Sequence, residues 1–240
     1  MATFVLVHGA WHGGWCWQKI IPFLEAAGHA VYAPSLTGLA ERASELSPAV
    51  GLDTHIQDIA GLLEEKDLRG VILVGHSYGG MVITGVVDQV PERIAHLVYL
   101  DTFVPRDGES MVDVSPLVIR LLLRKQAHGD SWRVDSQGTY GVTTEPDRSW
   151  VLSQVTPQPR KTLEQPLHLK NPGIVSATPR THIECTSGGF FFSLMRHLVA
   201  RRALPPTEAG WRLRQLCTGH DAMITMPREL ADLLLEGGEP

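Results

Sequence analysis

The chain is poor in cysteine, in basic runs and in long apolar stretches, and each shortage closes off a class of function. It holds three cysteines, Cys16, Cys185 and Cys217, in 240 residues. That odd, sparse set has no framework spacing and no CxxC pair. It argues against a disulfide scaffold and against a cysteine-built zinc or redox site, and predicts reduced, buried thiols in a cytoplasmic protein. No window approaches the roughly 18 consecutive apolar residues that a membrane helix needs, so no membrane partner is expected. Met1-Ala2-Thr3 runs directly into Phe4-Val5-Leu6-Val7 with no charged leader, so no secretory signal is expected either. The net charge is -5 and the 21 Lys and Arg residues are scattered, which makes nucleic acid an unsuitable partner. There is no internal repeat and no low-complexity tract.

What remains is the composition of a soluble globular chain, 43% hydrophobic and 20% charged. Its length suits one sizeable α/β domain with a real core. Short β-branched runs alternate with helical patterns. Strands are expected at 3–7, 30–33, 70–74, 94–100, 181–185 and 211–216, and helices at 15–27, 52–65, 80–89, 190–203 and 227–235. The first four strands are almost continuously apolar, as parallel strands covered on both faces must be. The alternation predicts a doubly wound, mostly parallel sheet of about six core strands with right-handed crossovers. Residues 105–180 break the rhythm. They are rich in Pro, Ser and Thr, with one helical pattern through Val118, Leu121 and Leu122. This segment is expected to be a small helical cap inserted between two strands of a core built from 1–104 and 181–240.

The chemistry centres on VILVGHSYGG, residues 71–80. Gly75-His76-Ser77-Tyr78-Gly79 fits G-x-S-x-G between a strand and a helix, the setting a nucleophile elbow requires. A serine in that turn stands above the sheet edge near a helix N-terminus, where negative charge is favoured. A serine nucleophile needs a base. Of 11 histidines, His76 lies in the elbow itself. His8 and His12 have no carboxylate between them, which argues against a zinc helix. His29, His55, His96, His128 and His197 read as surface or helix-face residues. His220, in Cys217-Thr218-Gly219-His220-Asp221, follows the last strand and precedes the last helix, so its loop lies above the same sheet edge as Ser77. The first strand ends in His8-Gly9-Ala10-Trp11-His12-Gly13-Gly14, a loop able to turn backbone N–H groups over Ser77. The expected oxyanion donors are the N–H groups of Ala10 and Tyr78.

HGAWHGGWCW, GHSYGG, LDTFVPRDGES and TGHDAM together resemble the α/β-hydrolase superfamily. More narrowly they resemble the branch of EstC-like carboxylesterases, plant methyl-ester esterases and plant hydroxynitrile lyases. The resemblance covers nearly the whole chain and is weakest in the cap. It implies a serine hydrolase without cofactor or metal, acting on small, largely apolar esters through an acyl-enzyme. Trp11, Phe103, Leu117, Leu121 and Met223 are candidate pocket residues for a small-molecule ester, and a homodimer is left open. Lyases of that branch carry a threonine and a lysine where this chain has Gly9 and Asp221, and an anion at 221 would oppose the departure of cyanide. A non-catalytic binding protein of the same fold is the third reading, disfavoured because Ser77 and His220 are both present.

The acid of such a triad usually follows the strand before the last one, and there the chain has Gly188. Two carboxylates stand in for it. Glu184 lies inside that strand, with its side chain expected on a sheet face. Asp101 ends the strand after the nucleophile helix and so lies at the working edge of the sheet. Asp101 is the expected partner of His220 Nδ1–H.

Overall fold

The computed structural model describes residues 1–115, 132–136, 138–187 and 211–237. The expected helix at 190–203, the helical pattern through Val118, Leu121 and Leu122, and the pocket candidates Leu117 and Leu121 lie outside them. The described strands are β1 (Thr3–Val7), β2 (Ala30–Tyr32), β3 (Val71–His76), β4 (Ile94–Leu100), β5 (Arg133–Val134), β6 (Gln158–Pro159), β7 (Arg180–Cys185) and β8 (Trp211–Leu216). The described α-helices are α1 (Ile21–Ala26), α2 (Leu52–Glu65), α3 (Gly79–Gln89), α4 (Met111–Val114), α5 (Asp147–Gln154), α6 (Arg160–Glu164), α7 (Pro172–Ala177), α8 (Ala222–Thr225) and α9 (Pro227–Gly237).

Six strands form one sheet in the order β2-β1-β3-β4-β7-β8, every neighbouring pair parallel. The period-2 pattern of the strands sorts their side chains between two helical layers. Val5, Val7, Val71, Leu73, Leu97 and Tyr99 share a core with Leu52, Ile56, Ile59 and Leu63 of α2 and with Met81, Ile83 and Val86 of α3. Phe4, Leu6, Ile72, Val74, Val98 and Leu100 share the opposite core with Trp17, Ile20, Leu24 and with Leu230, Ala231 and Leu234 of α9. Each fully buried Leu or Ile on such a stripe contributes about 1.5–3 kcal/mol of transfer free energy.

Chain order reverses at β1, which has β2 on one side and β3 on the other. The loops that leave β1 and β3 therefore diverge above the carboxyl edge, the crevice where open α/β sheets bind ligands. β3 runs two residues further than its sequence pattern suggested and carries His76 to the edge. The helix expected at 15–27 is broken into a 3-10 turn, Gly14–Trp17, and α1. Pro22 explains the break, because it has no N–H for a continuing helix and fits the first turn of a new one. Between β4 and β7, short helices accompany an antiparallel ribbon of β5 and β6 that is separate from the main sheet. Cys16 and Cys185 are buried as expected, but Cys217 is exposed, because it follows the end of the edge strand β8.

The passage from β3 into α3 depends on close backbone contact. A Cβ at Gly75 would lie 2.6 Å from Gly79 O, and one at Gly79 would lie 2.6 Å from Val7 O. Neither carbonyl can yield without moving a central strand or helix. Gly79→Ala should lower stability by about 1–3 kcal/mol, the range for overpacking a filled core. Gly61→Ala, inside α2 and 3.9 Å from only Gln57, should raise stability by about 0.5–1 kcal/mol through helix propensity. Thermal unfolding of the two variants checks both signs.

Candidate active site

Ser77 occupies the turn between β3 and α3 with φ 51°, a left-handed conformation that costs a non-glycine residue on the order of 1–3 kcal/mol. Its backbone is fixed by neighbours. Ser77 N–H donates to Leu100 O at 3.1 Å, and Ser77 O accepts Gly80 N–H at 2.9 Å and the Thr102 hydroxyl. It is the one residue of 71–80 that is not buried. The strain thus holds a hydroxyl-bearing residue open to solvent at the carboxyl edge.

Asp101 leaves the end of β4, the strand beside β3, also with positive φ, 43°. Its N–H donates to Ile183 O at 2.8 Å, and its Oδ1 accepts Cys185 N–H at 3.1 Å, so the β4–β7 pairing aims the side chain. The other oxygen, Oδ2, lies 2.6 Å from His220 Nδ1. His220 follows β8, and its side chain is 30% exposed. Burial opposes the imidazolium, but the hydrogen bond and charge of Asp101, with Asp221 behind, outweigh it and hold the pKa above the ordinary value. Glu184 has no such link. Its Oε2 accepts Gln215 Nε2–H at 2.9 Å on the exposed flank of β7 and β8.

Two backbone N–H groups near Ser77, those of Ala10 and Tyr78, find no acceptor among the described residues. The next N–H along the first loop and the one before Tyr78 are occupied: Trp11 donates to Gln158 Oε1 at 2.9 Å and Ser77 to Leu100 O at 3.1 Å. The loop that carries Ala10 is held from below by buried histidines. His8 Nδ1 lies 2.8 Å from Gly9 O, and its Nε2 accepts Leu36 N–H at 3.0 Å. Since a carbonyl only accepts, His8 must be the neutral Nδ1–H tautomer. Burial agrees, pushing its pKa down to about 3. The Gly9–Ala10 peptide is fixed by this bond to Gly9 O, and its N–H belongs to Ala10.

His55 plays the corresponding part under Tyr78. Its Nε2–H donates to Thr37 O and its Nδ1 accepts the Tyr78 hydroxyl, both at 2.9 Å. Burial lowers its pKa to about 4. His55 and His96, read from sequence as surface or helix-face residues, are both buried. His96 lies 2.8 Å from Thr181 Oγ1, a partner in the neighbouring strand. A lone histidine carries no periodicity that could have signalled this burial.

The remaining candidates fall in different places. Trp11 is a splice rather than a free wall. Its Nε1–H donates to Val134 O at 2.7 Å, and its carbonyl accepts Thr156 N–H at 3.0 Å, tying the first loop to the β5–β6 ribbon. Phe103 is half-buried just beyond Asp101. Met223 and the Tyr78 side chain have no exposed surface. Met223 packs in the core that also holds Trp17 and Leu230. The Asp221 carboxyl group is not open to a leaving group. Its side chain is fully buried, with its Oδ2 3.0 Å from His12 Nε2. The case against a lyase therefore rests on a missing cation, and on Gly9. A Cβ at Gly9 would lie 3.1 Å from Ser77 Cβ and 3.0 Å from His76 Nδ1, which leaves little room for threonine. An open, polar depression lined by Gln57, Glu64, Asp88 and Lys170 lies at the far end of α3 from Ser77. Its Asp88 carboxylate is occupied by the N–H groups of Lys170 and Asn171.

A family model described as "Alpha/beta hydrolase family" matches residues 4–233. The carbendazim hydrolyzing esterase of Nocardioides sp. (strain SG-4G) is 38% identical over 98% of this chain and 98% of its own length. Methylesterase 4 of Arabidopsis thaliana is 29% identical over 97% of this chain and 95% of its own. Among solved structures, an extracellular alpha/beta-hydrolase from a Paenibacillus species superposes with a TM-score of 0.82 at 26% identity, covering 100% of both chains.

A base must be neutral to accept a proton. A His220 pKa above the ordinary 6.5 therefore predicts that any Ser77-dependent rate rises with pH through a midpoint above 6.5. The groups facing the ring are Asp101, His76 and Asp221. Asp101→Asn removes the hydrogen-bonded charge, so the midpoint should move to lower pH as well as the plateau falling. A pH–rate profile of both proteins checks the direction.

Proposed function

The chain belongs to the alpha/beta hydrolase family, and from that premise we propose that it is a serine carboxylesterase of small, neutral, largely apolar esters. The 2.6 Å contact between Asp101 Oδ2 and His220 Nδ1, at the edge that also bears Ser77, carries this reading. Relatives named for hydrolysing carbendazim and for methylesterase activity support it.

Ser77 Oγ attacks the ester carbonyl while His220 Nε2 takes the hydroxyl proton, forming a tetrahedral oxyanion. The Ala10 and Tyr78 N–H groups receive that charge, and each such donor is worth about 3–4 kcal/mol in the transition state. Collapse expels the alcohol, which His220 protonates. Water then enters, gives its proton to His220 and cleaves the acyl-serine, releasing the carboxylic acid and restoring Ser77. Asp101 keeps the His220 proton on Nδ1, which leaves Nε2 as the bare, basic nitrogen, and it stabilises the imidazolium in both halves. Residues 105–180 act as the cap. Phe103, half-buried just beyond Asp101, supplies apolar surface for the acyl or alcohol group.

Ser77→Ala should cost on the order of 10⁶ in turnover, and Asp101→Asn up to roughly 10⁴. Glu184→Gln should leave activity intact. Steady-state kinetics on p-nitrophenyl and aryl esters checks all three. The same panel should favour short and aromatic neutral esters. A preference for long-chain triglycerides, or rapid release of cyanide from mandelonitrile, would contradict the substrate assignment.

A further inference from the structure

Directly beneath the candidate site lies a contact between two ionisable side chains, His12 and Asp221, that the hydrolytic steps do not use. They are 209 positions apart in the chain and 3.0 Å apart in space, Nε2 to Oδ2. Their side chains are 1% and 0% exposed. Trp15 stacks on the His12 ring at 5.1 Å and Tyr140 meets it edge-on at 4.6 Å. The rings screen the contact from bulk solvent, and its proton can be placed by elimination.

His12 Nδ1 lies 2.8 Å from Ala10 O. A carbonyl cannot donate, so Nδ1 carries a proton. A neutral His12 then has a bare Nε2, and a bare nitrogen facing a bare carboxylate oxygen would repel it. One further proton must lie between Nε2 and Oδ2. The pair is either imidazolium and carboxylate or imidazole and carboxylic acid, and in both forms it is neutral as a unit.

Each partner is built into one wall of the site. Ala10 O belongs to the Ala10–Trp11 peptide, whose N–H is held by Gln158, so His12 completes a clamp on both sides of that peptide. Asp221 follows His220 directly. Its N–H donates to Tyr140 O at 2.9 Å, and its carbonyl accepts the N–H groups of Ile224 and Thr225 at 3.0 and 3.1 Å. His76 Nε2–H donates to His220 O at 3.1 Å from the same side. Asp221 Oδ1 finds no partner among the described residues and lies 3.8 Å from His76 Nε2. The Oδ2 contact with His12 is thus what secures this carboxyl group.

We infer that His12 and Asp221 are positioning residues: their buried hydrogen bond locks the oxyanion loop to the loop that carries His220. This rests on the esterase reading of Ser77 and His220. The lock holds Ala10 N–H and the His220 ring in one fixed relation while charge moves between them in each half-reaction. It matters to the transition state more than to substrate binding, so its loss lowers kcat rather than raising KM. Asparagine can replace the aspartate in this geometry, since its Nδ2–H can donate to a neutral His12 Nε2.

The test compares kcat and KM of folded protein for Asp221→Ala, Asp221→Asn and the double variant His12→Leu/Asp221→Ala on a p-nitrophenyl ester. The double variant leaves no buried unpaired charge and guards against simple unfolding. Asp221→Ala and the double variant should each lose about 10² in kcat with KM little changed, the scale of a misplaced reacting group. Asp221→Asn should recover most of that loss. Wild-type kcat in the folded double variant would overturn the inference, as would an Asp221→Asn as impaired as Asp221→Ala. Ser77→Ala in the same assay separates the two levels, because activity surviving there faults the esterase reading and not the lock.

Discussion

The hydrogen bond between Asp101 and His220 organises the carboxyl edge of this sheet. It joins the end of β4 to the loop after β8 across 119 residues of sequence, and so closes the far side of the sheet onto its centre. Its length, 2.6 Å, is that of a charge-assisted bond, about twice as strong as a neutral one. A short ionic contact of this kind is useful only if both ends are fixed. Asp101 is fixed by two main-chain bonds to β7. His220 is fixed through the residue that follows it and through His76. The parallel register of β3, β4 and β7 thereby sets the geometry of the candidate site.

The layer beneath that centre is unusually rich in histidine, and the tautomers explain why. His8, His55 and His76 each have at least one ring nitrogen that meets a backbone carbonyl. A neutral imidazole is rigid, has one donor and one acceptor, and can bridge two backbone segments without adding charge. Burial keeps these rings neutral by holding their pKa values below the ordinary range. The field at Ser77 is then set mainly by the carboxylate of Asp101 and by unpaired N–H groups. His12 differs, because its second nitrogen meets a carboxyl oxygen, where those of His8 and His55 meet an N–H and a hydroxyl.

Much of this was legible in the sequence, and the reasons are specific. β1, β4 and β8 run over the residues expected. The first two are nearly unbroken apolar runs buried on both faces, while β8 is largely exposed. Ser77 was visible because its glycines are demanded by backbone contacts and not by side-chain preference. His220 and Asp101 could be singled out only by topology, since each is an ordinary residue until the sheet order brings it to the same edge. The burial of Asp221 against His12 was not legible, because adjacency to His220 says nothing of what lies 209 residues away in sequence. His8, His12, His55 and Gln158 escaped notice as structural partners. Their roles depend on which carbonyl lies within 3 Å, and no spacing rule encodes that.

The proposed chemistry requires that Ser77 be an activated nucleophile. Intact-protein and peptide mass spectrometry after incubation with a fluorophosphonate ester tests it most directly. One adduct per chain is expected, located at Ser77 and absent from Ser77→Ala. A folded protein that stays unlabelled, or an adduct on another residue, would contradict it.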